Sequence, residues 1–552
     1  MEARPLLIIA DVVRTLVRSE RVHAGGDVGP GRAPDAVLVR GGSIAAVGGR
    51  EELSALAPDA VRLELPGATL TPGLTDSHIH LIEWALARRE VDLSAAPTPA
   101  AAAQAVAEAA RRVSTGWIRG RGWNANRWGT FPDRVLLDEA VPDRPVALQS
   151  HDMHALWVNT RALEAAGIDE DTPDPAGGRI ARDAAGRPTG ILFENAAALV
   201  VQHIPEPGLD DVESAVLDAQ AALHRAGITG IHSFPGVHLT RPDPLSLLES
   251  LRARGLLRLR VVQHLPLDAL DEAIAVGLRS GFGGEWIRIG GIKMFLDGAL
   301  GSRTAWLRAP YAGSSDHGVN VLPAGDFRDA VRRAAAAGLS TTVHAIGDAA
   351  VALALDVLAD PAVRPGAVPH RIEHVQLLPL ERAADAARAG IVASMQPSHM
   401  MTDWRPALQH WGAERCRGAF ALRSLLDQGT VLAFGSDAPV EPVDPRLGLF
   451  AAVCRQDRDG LPEEGWYPEQ RIDIFDSLRA YTAGPAAAAG EHAREGCLVP
   501  GARADIVAWD IDPLRAPPRE LLDMRCTATI VGGELVWHAR GEVLAANEVR
   551  HV

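Results

Sequence analysis

At 552 residues the chain is too long for one compact core and suits roughly two to four domains. Its 47% hydrophobic and 23% charged content is that of a globular protein and excludes extended disorder. A formal net charge of −15 argues against nucleic acid or an anionic membrane surface as a partner.

The N-terminal stretch opens with an acid and a proline and lacks the cationic region and cleavage site of a signal peptide. The apolar runs are too short to span a bilayer, so a cytoplasmic protein is expected. The four cysteines show no C-x-x-C spacing, which gives neither a zinc ribbon nor a disulfide framework. Short β-type segments come first, at residues 6–10, 35–40 and 43–47, the last two joined by Gly41-Gly42. The far end answers with 504–510, 528–531 and 534–538, and a second Gly-Gly turn at Gly532-Gly533. This predicts a small composite β-sandwich domain made from both termini, residues 1–67 and 489–552; two unrelated β-tails are the alternative.

The middle, residues 68–488, alternates strand and helix. Eight apolar segments (70–80, 228–233, 257–264, 287–295, 340–344, 371–375, 391–396 and 430–436) are interleaved with Ala-rich amphipathic patterns such as 209–226 and 325–337. That count predicts an α/β fold, a (β/α)8 TIM-type barrel. No G-x-G-x-x-G opens any of these helices, which disfavours an open dinucleotide-binding sheet. Residues 82–227 are far longer than one crossover needs and predict an inserted subdomain above the barrel mouth, where long insertions shape substrate pockets.

Segment 70–80 ends in His78 and His80. Residues two apart on a strand share a face, so the two imidazoles converge as a pair of nitrogen ligands. Further polar residues stand near the predicted strand ends: Lys293, His344, His374, and Asp437 in F-G-S-D-A-P. Each has a plainer reading alone: hydrogen-bonded core histidines, a turn-capping aspartate, a snorkelling lysine. Together, at the face where barrel active sites lie, they point to a metal centre. Glu373, directly before His374, is expected to face the other way and to be structural. The tryptophans of the motif-rich stretches, Trp123 among them, line an apolar cleft or belong to a core.

The stretches T-P-G-L-T-D-S-H-I-H, G-R-G-W-N, K-M-F-L-D-G-A-L-G-S-R-T-A, V-H-A-I-G-D, R-I-E-H-V-Q and G-S-D-A-P-V carry a resemblance over nearly the whole chain. It resembles metal-dependent hydrolases of the amidohydrolase superfamily, and more narrowly the type-3 branch that includes N-substituted formamide deformylases. It departs from that branch at Met153, where glycine is usual, and at Ala349, where arginine is. The resemblance implies that His78, His80 and Asp437 hold one divalent ion and His344 and His374 a second. Zinc is the first expectation, with iron, manganese or cobalt close behind. Lys293, carboxylated by CO2, would bridge the two ions as a carbamate; a neutral lysine beside a single ion is the alternative. The implied reaction is hydrolysis of a non-peptide C–N bond in a small-molecule amide, N-acyl or N-formyl compound by metal-activated hydroxide, with Asp437 shuttling the proton. Deamination, cyclic amide or ester hydrolysis, and a silent metal-binding homologue are the rival readings. Trp123, His154, Asp297 and Arg303 are the candidate substrate-binding residues, and a homodimer is left open.

Overall fold

The structure, a computed structural model, describes residues 4–20, 33–111, 116–150, 155–175, 178–235, 244–301, 303–364 and 366–541. It divides into two compact units, Met1–Leu81 with Leu217–Val552, and Ile82–Val216. The second unit ends inside the helix Leu209–Arg225, short of residue 227.

The first unit is built on eight parallel strands in chain order: Leu74–Ile79, Ile228–Ser233, Arg260–Pro266, Ile287–Phe295, Thr341–Ala345, Arg371–His374, Val392–Met395 and Leu432–Phe434, here barrel strands one to eight. Each overlaps one of the eight expected segments, with Arg260–Pro266 and Thr341–Ala345 running two and one residues past the expected ends. The two ends of the sheet meet just beyond strand eight. Ile79 bridges Ala438 in parallel, Asp437 N–H donates to His78 O (2.7 Å), and His80 N–H donates to Ala438 O (2.9 Å). A barrel strand covered by helices outside and side chains inside has no wet face, and strand two is buried at every position. The covering helices read as expected from their spacing. In Ala324–Ala336 the buried residues are Phe327, Ala330, Val331 and Ala334, one apolar stripe. Asp444 caps Pro445–Cys454 by accepting the Arg446 N–H, with proline in the first turn.

One expectation is corrected. Segment 70–80 is two strands in two sheets. Thr69–Pro72 pairs antiparallel with Ile506–Trp509, and only Leu74–Ile79 enters the barrel. The chain changes sheets at Gly73, where a Cβ would lie 2.3 Å from Thr229 Oγ1; without a side chain it slips past.

The termini form the composite domain. One sheet runs Ser43–Gly48, Ala36–Arg40, Leu6–Ile9, Val61–Glu64; the other runs Val12–Val13, Thr69–Pro72, Ile506–Trp509, Cys526–Val531, Glu534–His538. Their core takes Ile8, Val37 and Leu70 from one end of the sequence and Ile506 and Ile530 from the other, so the two β-rich ends are one folding element. Among the described residues no helix is long and apolar enough to cross a membrane.

The second unit is a mixed six-stranded sheet, ordered Gly178–Arg182, Pro188–Glu194, Ala155–Val158, Val146–Ser150, Ile118–Trp123, Val91–Asp92. Trp123 lies in its core. It is 1% exposed, its indole N–H donates to Leu148 O (2.7 Å), and Trp128 and Trp157 pack on its ring. Both its apolar surface and its one donor are used inside the unit, so its surroundings lend no support to the expected substrate contact. Trp123→Ala should lower stability by about 3–5 kcal/mol, measured as an earlier urea transition. An unshifted transition with an altered KM would return it to the pocket.

Candidate metal centre

The barrel-closing seam also carries the first group of candidate ligands. Asp76 accepts from both His78 N (3.1 Å) and Ser436 N (3.0 Å), pinning the ends of strands one and eight together. Gly435 makes the approach feasible: a Cβ there would sit 2.4 Å from His78 N. Just past the seam Asp437 takes φ 60, and at the end of strand six His374 takes φ 73. Left-handed backbone at a non-glycine residue costs on the order of 1–3 kcal/mol and tends to mark functional positions. Here it turns two side chains that a straight strand would aim elsewhere.

The imidazole hydrogen bonds indicate which ring nitrogen carries the proton. His78 Nδ1 donates to Glu373 Oε2 (2.6 Å), and His80 Nδ1 donates to the Pro235 carbonyl (3.0 Å). Each Nε2 is therefore a lone pair. They lie 3.3 and 3.4 Å from the same oxygen, Asp437 Oδ1, and His78 Nε2 is buried with no hydrogen-bond partner. Lone pairs facing a carboxylate oxygen repel unless a cation lies between them. Zinc–ligand distances of about 2.0–2.1 Å give a tetrahedral edge of about 3.3 Å, which matches the spacing. His78, His80 and Asp437 are, among the described residues, the group of three that could hold an ion.

The other candidates gather beside them. The His374 ring centroid lies 5.0 Å from that of His78 and 4.4 Å from that of His344. His374 Nδ1 is 2.9 Å from Gln396 Oε1 and 3.9 Å from Asp437 Oδ2. His344 Nε2 donates to Gly298 O (3.1 Å), leaving Nδ1 as its lone pair. Lys293 is buried, its Nζ 4.7 Å from the ring centroids of Phe234 and Phe295. Burial pulls its ammonium down to about 8, so a usable fraction is neutral amine near pH 7.

Burial, seconded by Lys293, lowers His78 to about 4 and His344 to about 3, and burial with His344 holds His374 well below its ordinary value. Burial alone would raise the Asp437 carboxyl, but His78, His80 and His374 hold it well below the usual range. The site thus presents neutral imidazoles and an ionised carboxylate, the states in which these groups bind metal. Stability should follow. Between the folded values and about 6.5 the unfolded chain binds more protons at these histidines, so the metal-free protein should lose stability as pH falls below about 6.5. Equal urea midpoints at pH 7.5 and 5 would contradict this.

The remaining candidates, expected to contact substrate, are Asp297, Arg303 and His154. Asp297 is buried and its carboxylate accepts from Ile346 N, Gly347 N and Trp306 N (3.0, 2.8 and 2.9 Å). Its oxygens hold the loop after strand five, 3.5 Å from His344 Nε2, so it braces the site. Arg303 is exposed and at φ 58. His154, like Met153, lies outside the described residues.

Three groups were missed or misread. Glu373 does not face away: it is fully buried against His78 and is held by Arg371. Phe234 stacks between His78 (3.9 Å) and His264 (4.3 Å). Gln396 fixes His374. The available signal for Glu373 was a charged pair two residues apart, Arg371 and Glu373, on a segment that the spacing places inside a barrel.

Comparison with known proteins agrees with this architecture. A profile described as "Amidohydrolase family" matches residues 63–537, and one described as "Imidazolonepropionase-like composite domain, bacteria" matches residues 36–60. The chain is 33% identical over 518 residues to the protein YtcJ of Bacillus subtilis (strain 168), covering 92% of this chain and 96% of that one. It is 30% identical over 532 residues to N-substituted formamide deformylase of Arthrobacter pascens, covering 92% and 95%. The crystal structure of an uncharacterized metal-dependent hydrolase from Pyrococcus horikoshii OT3 superposes with a TM-score of 0.76 at 27% identity, over 93% of this chain and 99% of that one.

Proposed function

Because this chain belongs to the amidohydrolase family, we propose that it is a metal-dependent hydrolase whose target is the C–N bond of a small-molecule amide, in first place an N-formyl or N-acyl compound. The observation that carries the metal half is the buried His78 Nε2, which has no hydrogen-bond partner and lies 3.3 Å from Asp437 Oδ1. The substrate half is supported by the 30% identity to a protein named N-substituted formamide deformylase.

His78, His80 and Asp437 would hold one ion; His344, His374 and a carboxylated Lys293 would hold a second. Imidazole and carboxylate donors favour zinc. A divalent ion in this position supplies Lewis acidity, making water nucleophilic near neutral pH and polarising a carbonyl. The protein supplies the rest. Glu373 and the Pro235 carbonyl fix the two strand-one imidazoles by their far nitrogens. Asp437, ionised at neutral pH, accepts a proton from the attacking water and delivers it to the departing nitrogen, so the amine leaves neutral.

The test is chelation followed by product analysis. Metal-stripped protein should keep its far-UV circular dichroism, because the barrel closes through its own hydrogen bonds, and should lose turnover until Zn2+ is returned. Formate released from an N-formyl amine supports the substrate reading, whereas ammonia would redirect it to deamination. Full turnover by thoroughly stripped protein would end the metal reading.

A further inference from the structure

Below the candidate ligands an ion pair is sealed inside the barrel. Arg371 and Glu373 are 1% and 0% exposed. The guanidinium grips the carboxylate as a fork, Nε to Oε1 at 2.6 Å and Nη2 to Oε2 at 3.0 Å. Its other contacts reach three further strands: His232 Nδ1 (2.6 Å) on strand two, Ser77 O (2.7 Å) on strand one and Ser394 Oγ (2.7 Å) on strand seven. The same Glu373 Oε2 that Arg371 holds accepts the His78 Nδ1–H at 2.6 Å.

Burying two charges costs several kcal/mol each in desolvation, and an apolar pair of the same volume is commonly at least as stable. Packing alone therefore gives little reason for this arrangement. Its geometry does: one carboxylate oxygen joins a fixed guanidinium to the far nitrogen of a candidate ligand. A carboxylate on the outer N–H of a ligating imidazole fixes its tautomer and orientation and raises its donor strength.

We propose that Arg371 and Glu373 are positioning residues that set the affinity of the metal centre through His78. Arg371 clamps Glu373 in place. Glu373 keeps the His78 proton on Nδ1 and presents the Nε2 lone pair toward Asp437. Neither residue touches substrate or metal. The inference rests on the metal-centre reading above.

The experiment measures Zn2+ affinity of metal-stripped protein by competition with a chromophoric chelator, with circular dichroism as the folding control. Glu373→Gln should weaken Zn2+ binding about 10–100-fold, but it strands the Arg371 cation and can unfold the barrel. Two variants remove that ambiguity. Glu373→Asp keeps both charges and draws the carboxylate back from His78. Arg371→Met/Glu373→Gln removes both charges together. Both should fold and still bind Zn2+ about 10–100-fold more weakly, and their Co2+-loaded forms should show a shifted visible spectrum. Were the pair only structural, the folded double variant would regain wild-type affinity. Wild-type affinity in the double variant, or in Glu373→Asp with an unshifted Co2+ spectrum, overturns the proposal. A wild-type protein that takes up no Zn2+ would instead overturn the metal centre itself.

Discussion

Asp437→Asn should leave a folded protein that still takes up metal and has lost kcat by a factor of about 10²–10⁴. The amide keeps the shape of the carboxylate and one oxygen that can face His78 and His80, but it cannot accept a proton at neutral pH. The seam should survive, because its bonds at this residue are backbone ones: Asp437 N to His78 O and His80 N to Ala438 O. Steady-state kinetics with metal analysis on the same sample separates the two roles. Near-normal kcat would mean that another group carries the proton. Loss of metal with kcat would mean that Asp437 serves mainly as a ligand.

Lys293→Ala should do more damage, lowering both metal content and turnover. Lys293 is walled in by Phe234 and Phe295, with its ammonium pulled down by burial. An uncharged amine is the form that reacts with CO2, and a carbamate would turn a group with no lone pair when protonated into an oxygen donor. On that reading the alanine variant loses an anion shared by two ions. Metal content should fall, kcat should drop by several orders of magnitude, and added acetate or propionate should restore part of the activity from the space left behind. If Lys293 instead works as an amine, carboxylates should fail to rescue and small amines should succeed. Activity against acetate and against methylamine, read beside metal content, decides between them.

How much of this was legible beforehand depends on the kind of order involved. The barrel strands are short apolar runs between helical patterns, and all eight could be located by composition and spacing. The strand ends gave His78, His80, Lys293, His344, His374 and Asp437, which the fold gathers at one mouth. What escaped was geometry with no pattern in composition. Alternation sends Glu373 away from the site only if His374 stays extended. His374 instead adopts φ 73, so it and Glu373 can both serve the centre from one strand. Nothing in R-I-E-H announces a left-handed histidine. Thr-Pro-Gly likewise conceals a change of sheet at Gly73, visible only once Thr229 is packed against it. Trp123 is a different case: G-R-G-W-N looks like a motif, and the structure shows its indole packed in the core of its own unit.

The closing seam also has a bearing on synthesis. Asp76 and Ser436, whose hydrogen bond helps fasten it, are 360 residues apart in sequence. A ribosome adding about 5–20 residues per second needs roughly 20–70 s to travel that far. For that interval the emerging chain carries His78 and His80 without the aspartate that completes their set. Even then Thr69–Pro72, immediately upstream of strand one, still waits for its partner Ile506–Trp509. A site that needs Asp437 beside His78 and His80 would therefore be complete only after translation has passed the last barrel strand.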